Sequence, residues 1–131
     1  MSKKPNFIAI GKRTIEMEQK SIHALLHRLD EGFEQACESL MQCRGRVVVT
    51  GIGKSGHIAN KIAATLSSTG TPAFFMHPAE ASHGDLGMLT SNDAVLALSG
   101  SGNTNELLTL LPLIKRIGVP LIAMTGNLQS T

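Results

Sequence analysis

The sequence predicts an α/β fold: a parallel sheet covered by helices on both faces, a three-layer sandwich preceded by N-terminal helices. Three observations predict it. After residue 45, short apolar runs alternate with segments of helical period. The runs are continuous and rich in β-branched residues, as strands buried on both faces are. Charge is also uneven: 14 of the 22 charged side chains fall in residues 1–46, leaving 8 for the other 85 positions. The second segment is therefore expected to be covered by the first, by further chain or by a partner subunit.

The elements follow in order. From about Asn6 to Cys43, Ile15, Ile22, Leu25, Leu29, Phe33, Ala36 and Leu40 recur at helical steps. Asp30-Glu31-Gly32 breaks this stretch into two helices, and Gly45 ends the second. Arg46–Thr50 is a strand. Gly51–Gly56 is a turn, and His57–Ser68 is a helix with Ile58, Ile62, Ala63 and Leu66 inward. Ala73–Met76 is a second strand. Residues 77–93 show no strong period, and so long a loop in a compact domain is usually functional. Ala94–Leu98 is a third strand, and Ser99–Thr104 a polar turn. Asn105–Ile117 is a helix with Leu107, Leu108, Leu111 and Ile114 inward, and Leu121–Met124 a fourth strand. The chain reads as one domain over 1–131, with helices over 1–45 and the βα core over 46–131.

Ligands of open α/β sheets sit beyond the carboxyl ends of the strands. Two loops with the same chemistry fall there, Gly51-Ile-Gly-Lys-Ser-Gly56 and Ser99-Gly-Ser-Gly-Asn-Thr104. Each offers hydroxyls and backbone N–H groups and leads into a helix N-terminus, which suits a phosphate. A tight turn that needs glycine for its backbone is the plainer alternative for either loop alone. The first loop matches G-x-G-x-x-G, but Met76-His77-Pro78 supplies no acidic residue where a dinucleotide ribose needs one. Val48 stands where a Walker loop has its first glycine. NAD and ATP are both disfavoured.

Lys54, at the tip of the first loop, is either a solvated lysine or a cation for a phosphate or sugar oxygen. Glu106 is three residues beyond Asn103, so it is either half of a capping box or a carboxylate able to move a proton in the site. His77, Glu80, His83 and Asp85 crowd one stretch of a charge-poor region, where they can handle protons or bind a metal. His23 and His27 are four apart on a helix, where a solvated face is the plainer reading and a metal pair the alternative, and His57 caps or flanks its helix.

Composition excludes several classes. A net charge of +2, no Trp or Tyr and four Phe argue against a nucleic-acid partner. No apolar run approaches the roughly 18 residues of a membrane span. Cys37 and Cys43 match no zinc or redox spacing, and without a secretory signal they read as reduced thiols of a cytoplasmic protein.

Assembled, these segments resemble a sugar isomerase (SIS) domain, a flavodoxin-like sandwich, and within it the arabinose 5-phosphate isomerases of Gram-negative bacteria. The resemblance covers essentially the whole chain. It rests on Val47–His57, Ser68–Pro72, Phe75–Met88 and Ser99–Glu106; the pair Gly-Lys-Ser-Gly-His and Ala-Ser-His-Gly-Asp-Leu-Gly is its narrowest part. It implies reversible conversion of D-ribulose 5-phosphate to D-arabinose 5-phosphate through an enediolate, the entry to Kdo and lipopolysaccharide synthesis. It implies Lys54, His83 and Glu106 as catalytic residues. It implies phosphate or substrate contacts at Gly53, Ser55, Gly70, Thr71, Ser99, Ser101, Gly102 and Thr104. It implies no required cofactor, with His77 at a position where the family can bind zinc. It implies a homo-oligomer, a tetramer. Asn103 stands where many relatives carry Glu. The family continues past residue 131 with a further strand and helices, another catalytic histidine and often a CBS pair. The chain is thus expected to be an incomplete domain, weakly active or inactive alone. Alternatives are a non-catalytic sugar-phosphate sensor and an isomerase of another phosphosugar.

Overall fold

The computed structural model describes residues 4–130. They form two compact units, one reaching to Gln35 and one running from Ala36. The first holds α1 (Phe7–Ala24) and a 3-10 turn (Leu25–Arg28). The Asn6 side chain starts α1 by accepting the N–H of Ala9 at 3.0 Å. No residue of α1 is buried; Phe7, Ile8, Ile15 and Ile22 are all exposed. The break between the helices falls earlier than Gly32. Leu29 is extended, Asp30 accepts the N–H of Phe33 at 3.2 Å, and Gly32 lies inside α2 (Glu31–Met41). The aspartate rather than the glycine is the stop signal. Leu40 and Cys43, in α2 and just beyond it, pack on the sheet.

The second unit is built on β1 (Val47–Gly51), β2 (Ala73–Met76), β3 (Ala94–Ser99) and β4 (Leu121–Thr125). All pair parallel, in the order β2-β1-β3-β4. Val47 lies opposite both Ala73 and Ala94, and Leu96 opposite Ile122. From β1 the chain steps outward to β2, then returns past β1 to β3 and steps the other way to β4. Right-handed crossovers taken in opposite directions put their helices on opposite faces. Accordingly α3 (Gly53–Ser68) covers the face of Val47, Val49, Leu96 and Leu98. The helices α4 (Pro78–Ser82), α5 (Asn105–Leu108) and α6 (Leu111–Ile117) cover the face of Val48 and Val95. The three-layer sandwich is as expected. Val47, Val48 and Val49 are fully buried on alternating faces, and each such side chain contributes about 1.5–3 kcal/mol.

Three element boundaries differ from expectation. The first Gly-rich turn is shorter, because α3 begins at Gly53; His57 lies inside that helix and is exposed. Its buried positions are Gly56, Ala59 and Ala63, so Ile58, about 100° around the helix from Ala59, faces out. The helix expected over 105–117 breaks in two before Pro112, which has no N–H to continue the ladder. Leu107, Leu110 and Ile114 turn inward, while Leu108 and Leu111 are only half-buried. Residues 77–93 contain α4 and a 3-10 turn (Asp85–Met88), anchored in the core by Pro78, Ala81 and Leu89.

Candidate functional site

The order β2-β1-β3-β4 reverses direction between β1 and β3, so a crevice opens beyond the carboxyl ends of those two strands. Both Gly/Ser loops lie there. With strands about 4.8 Å apart, the four strand ends span about 14 Å, the scale of one small ligand. Going across the sheet, His77 follows β2, Gly53–Ser55 follow β1, Ser99–Thr104 close β3, and Gly126-Asn127 follow β4.

The first loop needs its glycines for separate reasons. Gly53 has φ +57, a left-handed conformation. A Cβ on Gly56 would lie 2.8 Å from the carbonyl oxygen of Gly51, so the start of α3 rests directly on the end of β1. The N-cap Ile52 gives no side-chain cap. The first N–H groups of α3, on Gly53, Lys54 and Ser55, therefore face the crevice uncapped, at the positive end of a 16-residue helix. Lys54 is exposed in this turn and Ser55 half-buried.

The second loop is a closed hydroxyl cradle. Ser99 Oγ and Thr104 Oγ1 are 2.7 Å apart. The N–H of Gly102 donates to Ser99 Oγ at 3.0 Å, and that of Asn103 to Ser101 Oγ at 3.2 Å. Gly102 has φ +72, and a Cβ there would overlap the Ser130 side chain. The helix start read at Asn103 falls one residue later. The N-cap of α5 is Thr104, with no side-chain cap, and Glu106 is exposed in the first turn, next to the cradle.

The histidine segment approaches from β2. His77 is the N-cap of α4, its Nδ1 accepting the N–H of Ala79 at 3.2 Å, with the Phe75 ring edge-on. That leaves Nε2 for another partner. Among the described residues no three His, Cys, Asp or Glu side chains gather to hold a metal, so zinc at His77 would need ligands from elsewhere. His83 is the exposed C-cap of α4, and α4 touches α5, the helix of Glu106. Glu80 is exposed; the Asp85 side chain lies outside what the structure describes. His23 lies in α1 and His27 in the 3-10 turn, both exposed.

Gly70 and Thr71 are not in this crevice. They end α3 in a Schellman motif: Gly70 N–H reaches Ser67 O at 3.4 Å and Thr71 N–H reaches Leu66 O at 2.9 Å. The next residue, Pro72, accepts the N–H of Val47 at the amino end of β1. Four strand steps separate this point from Gly51, about 13 Å.

The amino end holds a feature the sequence reading did not single out. Asp93 is buried, and its carboxylate accepts the N–H groups of Arg46 and Thr90, both at 2.7 Å. Burial pushes this carboxyl up, but the N–H donors of Arg46 and Thr90, the Thr90 hydroxyl and the Arg46 guanidinium outweigh it and hold it below the usual carboxylate range. Arg46 also lies over the Phe74 ring at 4.6 Å and donates to Met88 O at 2.7 Å, tying down the end of the histidine segment. The cavity beside it, about 240 Å³, is lined by Cys43, Arg44, Asn92 and Asp93 and by no candidate site residue. The polar run Ser91-Asn92-Asp93 before a strand was the available turn signal.

Residues 39–131 match the family described as SIS domain. The chain is 60% identical over 130 residues to arabinose 5-phosphate isomerase KdsD of Pseudomonas aeruginosa, covering 99% of this chain and 40% of that protein. It is 54% identical to the protein of the same name from Yersinia pestis, covering 96% and 38%. Among solved structures, an Escherichia coli CFT073 protein in complex with arabinose 5-phosphate superposes with a TM-score of 0.90 at 42% identity, over 98% of this chain and 69% of that one. A Bacteroides fragilis putative phosphosugar isomerase involved in capsule formation superposes at 0.82 and 39%, over 92% and 67%. The chain thus spans about 40% of the length of these curated relatives.

Proposed function

The chain belongs to the SIS domain family, and on that premise we propose that it carries the isomerase site that interconverts D-arabinose 5-phosphate and D-ribulose 5-phosphate. What carries this is the pair of Ser/Gly loops astride the switch point, with Lys54 and Glu106 in the helical turns that follow them. The names and identities of the relatives support the choice of sugar. The phosphate sits among the hydroxyls of Ser55, Ser99, Ser101 and Thr104 and the uncapped N–H groups of Gly53, Lys54 and Ser55, with Gly102 shaping the second loop, and so fixes the sugar's orientation.

Aldose–ketose isomerisation then requires three groups. Glu106 takes the C2 proton of the open-chain aldose and returns it to C1, passing through an enediolate. Lys54 stabilises the negative charge that develops on the carbonyl oxygen. His83 handles ring opening and the proton traffic on the sugar oxygens. No cofactor takes part; zinc at His77 stands outside these steps. The product feeds Kdo and lipopolysaccharide synthesis, in a cytoplasmic homotetramer. No helix among the described residues is long and apolar enough to cross a membrane, and the exposed apolar side chains of α1 suit a surface covered by a partner.

Substitution tests these roles. In a coupled assay over a panel of pentose and hexose phosphates, Lys54→Ala and Glu106→Gln lower kcat/KM for arabinose 5-phosphate roughly 100- to 10,000-fold. Unchanged turnover in either variant overturns the assignment.

A further inference from the structure

We propose that Asn127, in the turn after β4, is a positioning residue for the phosphate loop; this rests on the reading of Ser99–Thr104 as that loop. Two consecutive donors of the turn hold two consecutive carbonyls of the loop. Gly126 N–H reaches Gly100 O at 3.2 Å, and Asn127 Nδ2 donates to Ser101 O at 3.4 Å. In a trans peptide the C=O and the following N–H point in opposite directions. Pinning the Gly100 and Ser101 carbonyls toward β4 therefore turns the N–H groups of Ser101 and Gly102 away from it. The Gly102 N–H closes the loop onto Ser99, and the Ser101 N–H, with no acceptor among the described residues, is the donor left for an anion.

The turn is itself braced to do this. Asn127 Oδ1 accepts the N–H of Gln129 at 3.1 Å. Asn127 O accepts the Ser130 hydroxyl at 2.8 Å, and the Asn127 N–H donates to Thr125 Oγ1 at 3.1 Å. Ser130 then packs against Gly102 so closely that no Cβ fits there. The side-chain amide of Asn127 is thus the one donor through which a side chain of this turn reaches a carbonyl of the phosphate loop among the described residues.

The test uses the full-length protein with inorganic phosphate as probe, by calorimetry, alongside steady-state kinetics with arabinose 5-phosphate. Asn127→Ala is expected to weaken phosphate binding and raise KM about 3- to 10-fold, with kcat little changed. Asn127→Asp keeps the acceptor for Gln129, loses the donor, and weakens phosphate at least as much. Leu128→Ala, in the same turn with its side chain in solvent, leaves both unchanged. Wild-type phosphate affinity in folded Asn127→Ala, or in Asn127→Asp if the first variant does not fold, overturns the proposal. So does a fall in kcat at constant KM. If the wild-type protein binds phosphate but isomerises no pentose phosphate, the isomerase reading fails while the phosphate comparison still decides the role of Asn127.

Discussion

Replacing Asp93 with Asn exchanges one carboxylate oxygen for an NH₂ group at almost constant size. Asp93 is 2% exposed and accepts two backbone N–H groups at 2.7 Å, from Arg46 and Thr90. The amide oxygen can keep one of them. The NH₂ then faces the other, which loses its acceptor at a part-buried site. Losing one charge-assisted bond and stranding its donor costs about 2–4 kcal/mol, and the Arg46 guanidinium, 3.8 Å away, loses its counter-charge while keeping Met88 O and the Phe74 ring. At roughly 4 °C per kcal/mol for a chain of this size, Tm falls by about 8–16 °C at pH 7. The pH dependence has a definite sign. The folded carboxyl is held below its ordinary value, so its stabilisation is complete above the unfolded pKa of about 3.9 and is lost as pH falls through the folded value. The gap between wild type and Asp93→Asn therefore narrows below about pH 4. Thermal melts from pH 7 to pH 2.5 measure it. A gap below about 0.5 kcal/mol at pH 7, or one that widens in acid, would mean that the Asp93 charge does not hold these two N–H groups.

Other substitutions probe the crevice. Gly56→Ala puts a Cβ 2.8 Å from Gly51 O; it should cost about 2–3 kcal/mol in urea melts and raise KM, because α3 must lift its first turn off β1. Thr50→Val replaces a fully buried hydroxyl that has no partner among the described residues. It is expected to leave stability unchanged or raise it by about 1 kcal/mol, and a loss above about 1 kcal/mol would mean the hydroxyl is satisfied. Ser101→Ala removes a cradle hydroxyl and should raise KM about 5-fold with kcat little changed, as expected for a handle remote from the reacting carbons.

The sheet was legible because Val47-Val-Val and Ala94–Leu98 are continuous apolar runs, which only a strand buried on both faces needs. The two loops were legible because their glycines and serines sit at strand-to-helix junctions. What sequence spacing missed depends on who meets whom in space. The Asn103–Glu106 spacing fits a capping box, but Thr104 takes the cap. Asp93 finds the Arg46 N–H 47 positions away, and Asn127 finds Ser101 at a separation of 26. Neither distance leaves a local periodic trace.

If the crevice between β1 and β3 isomerises a five-carbon phosphosugar, proton NMR of the purified full-length protein, incubated separately with arabinose 5-phosphate and with ribulose 5-phosphate, will record it. Both reactions are predicted to reach the same mixture, and neither to proceed with Glu106→Gln. Phosphosugar binding without interconversion would make the crevice a sensor and not an isomerase site.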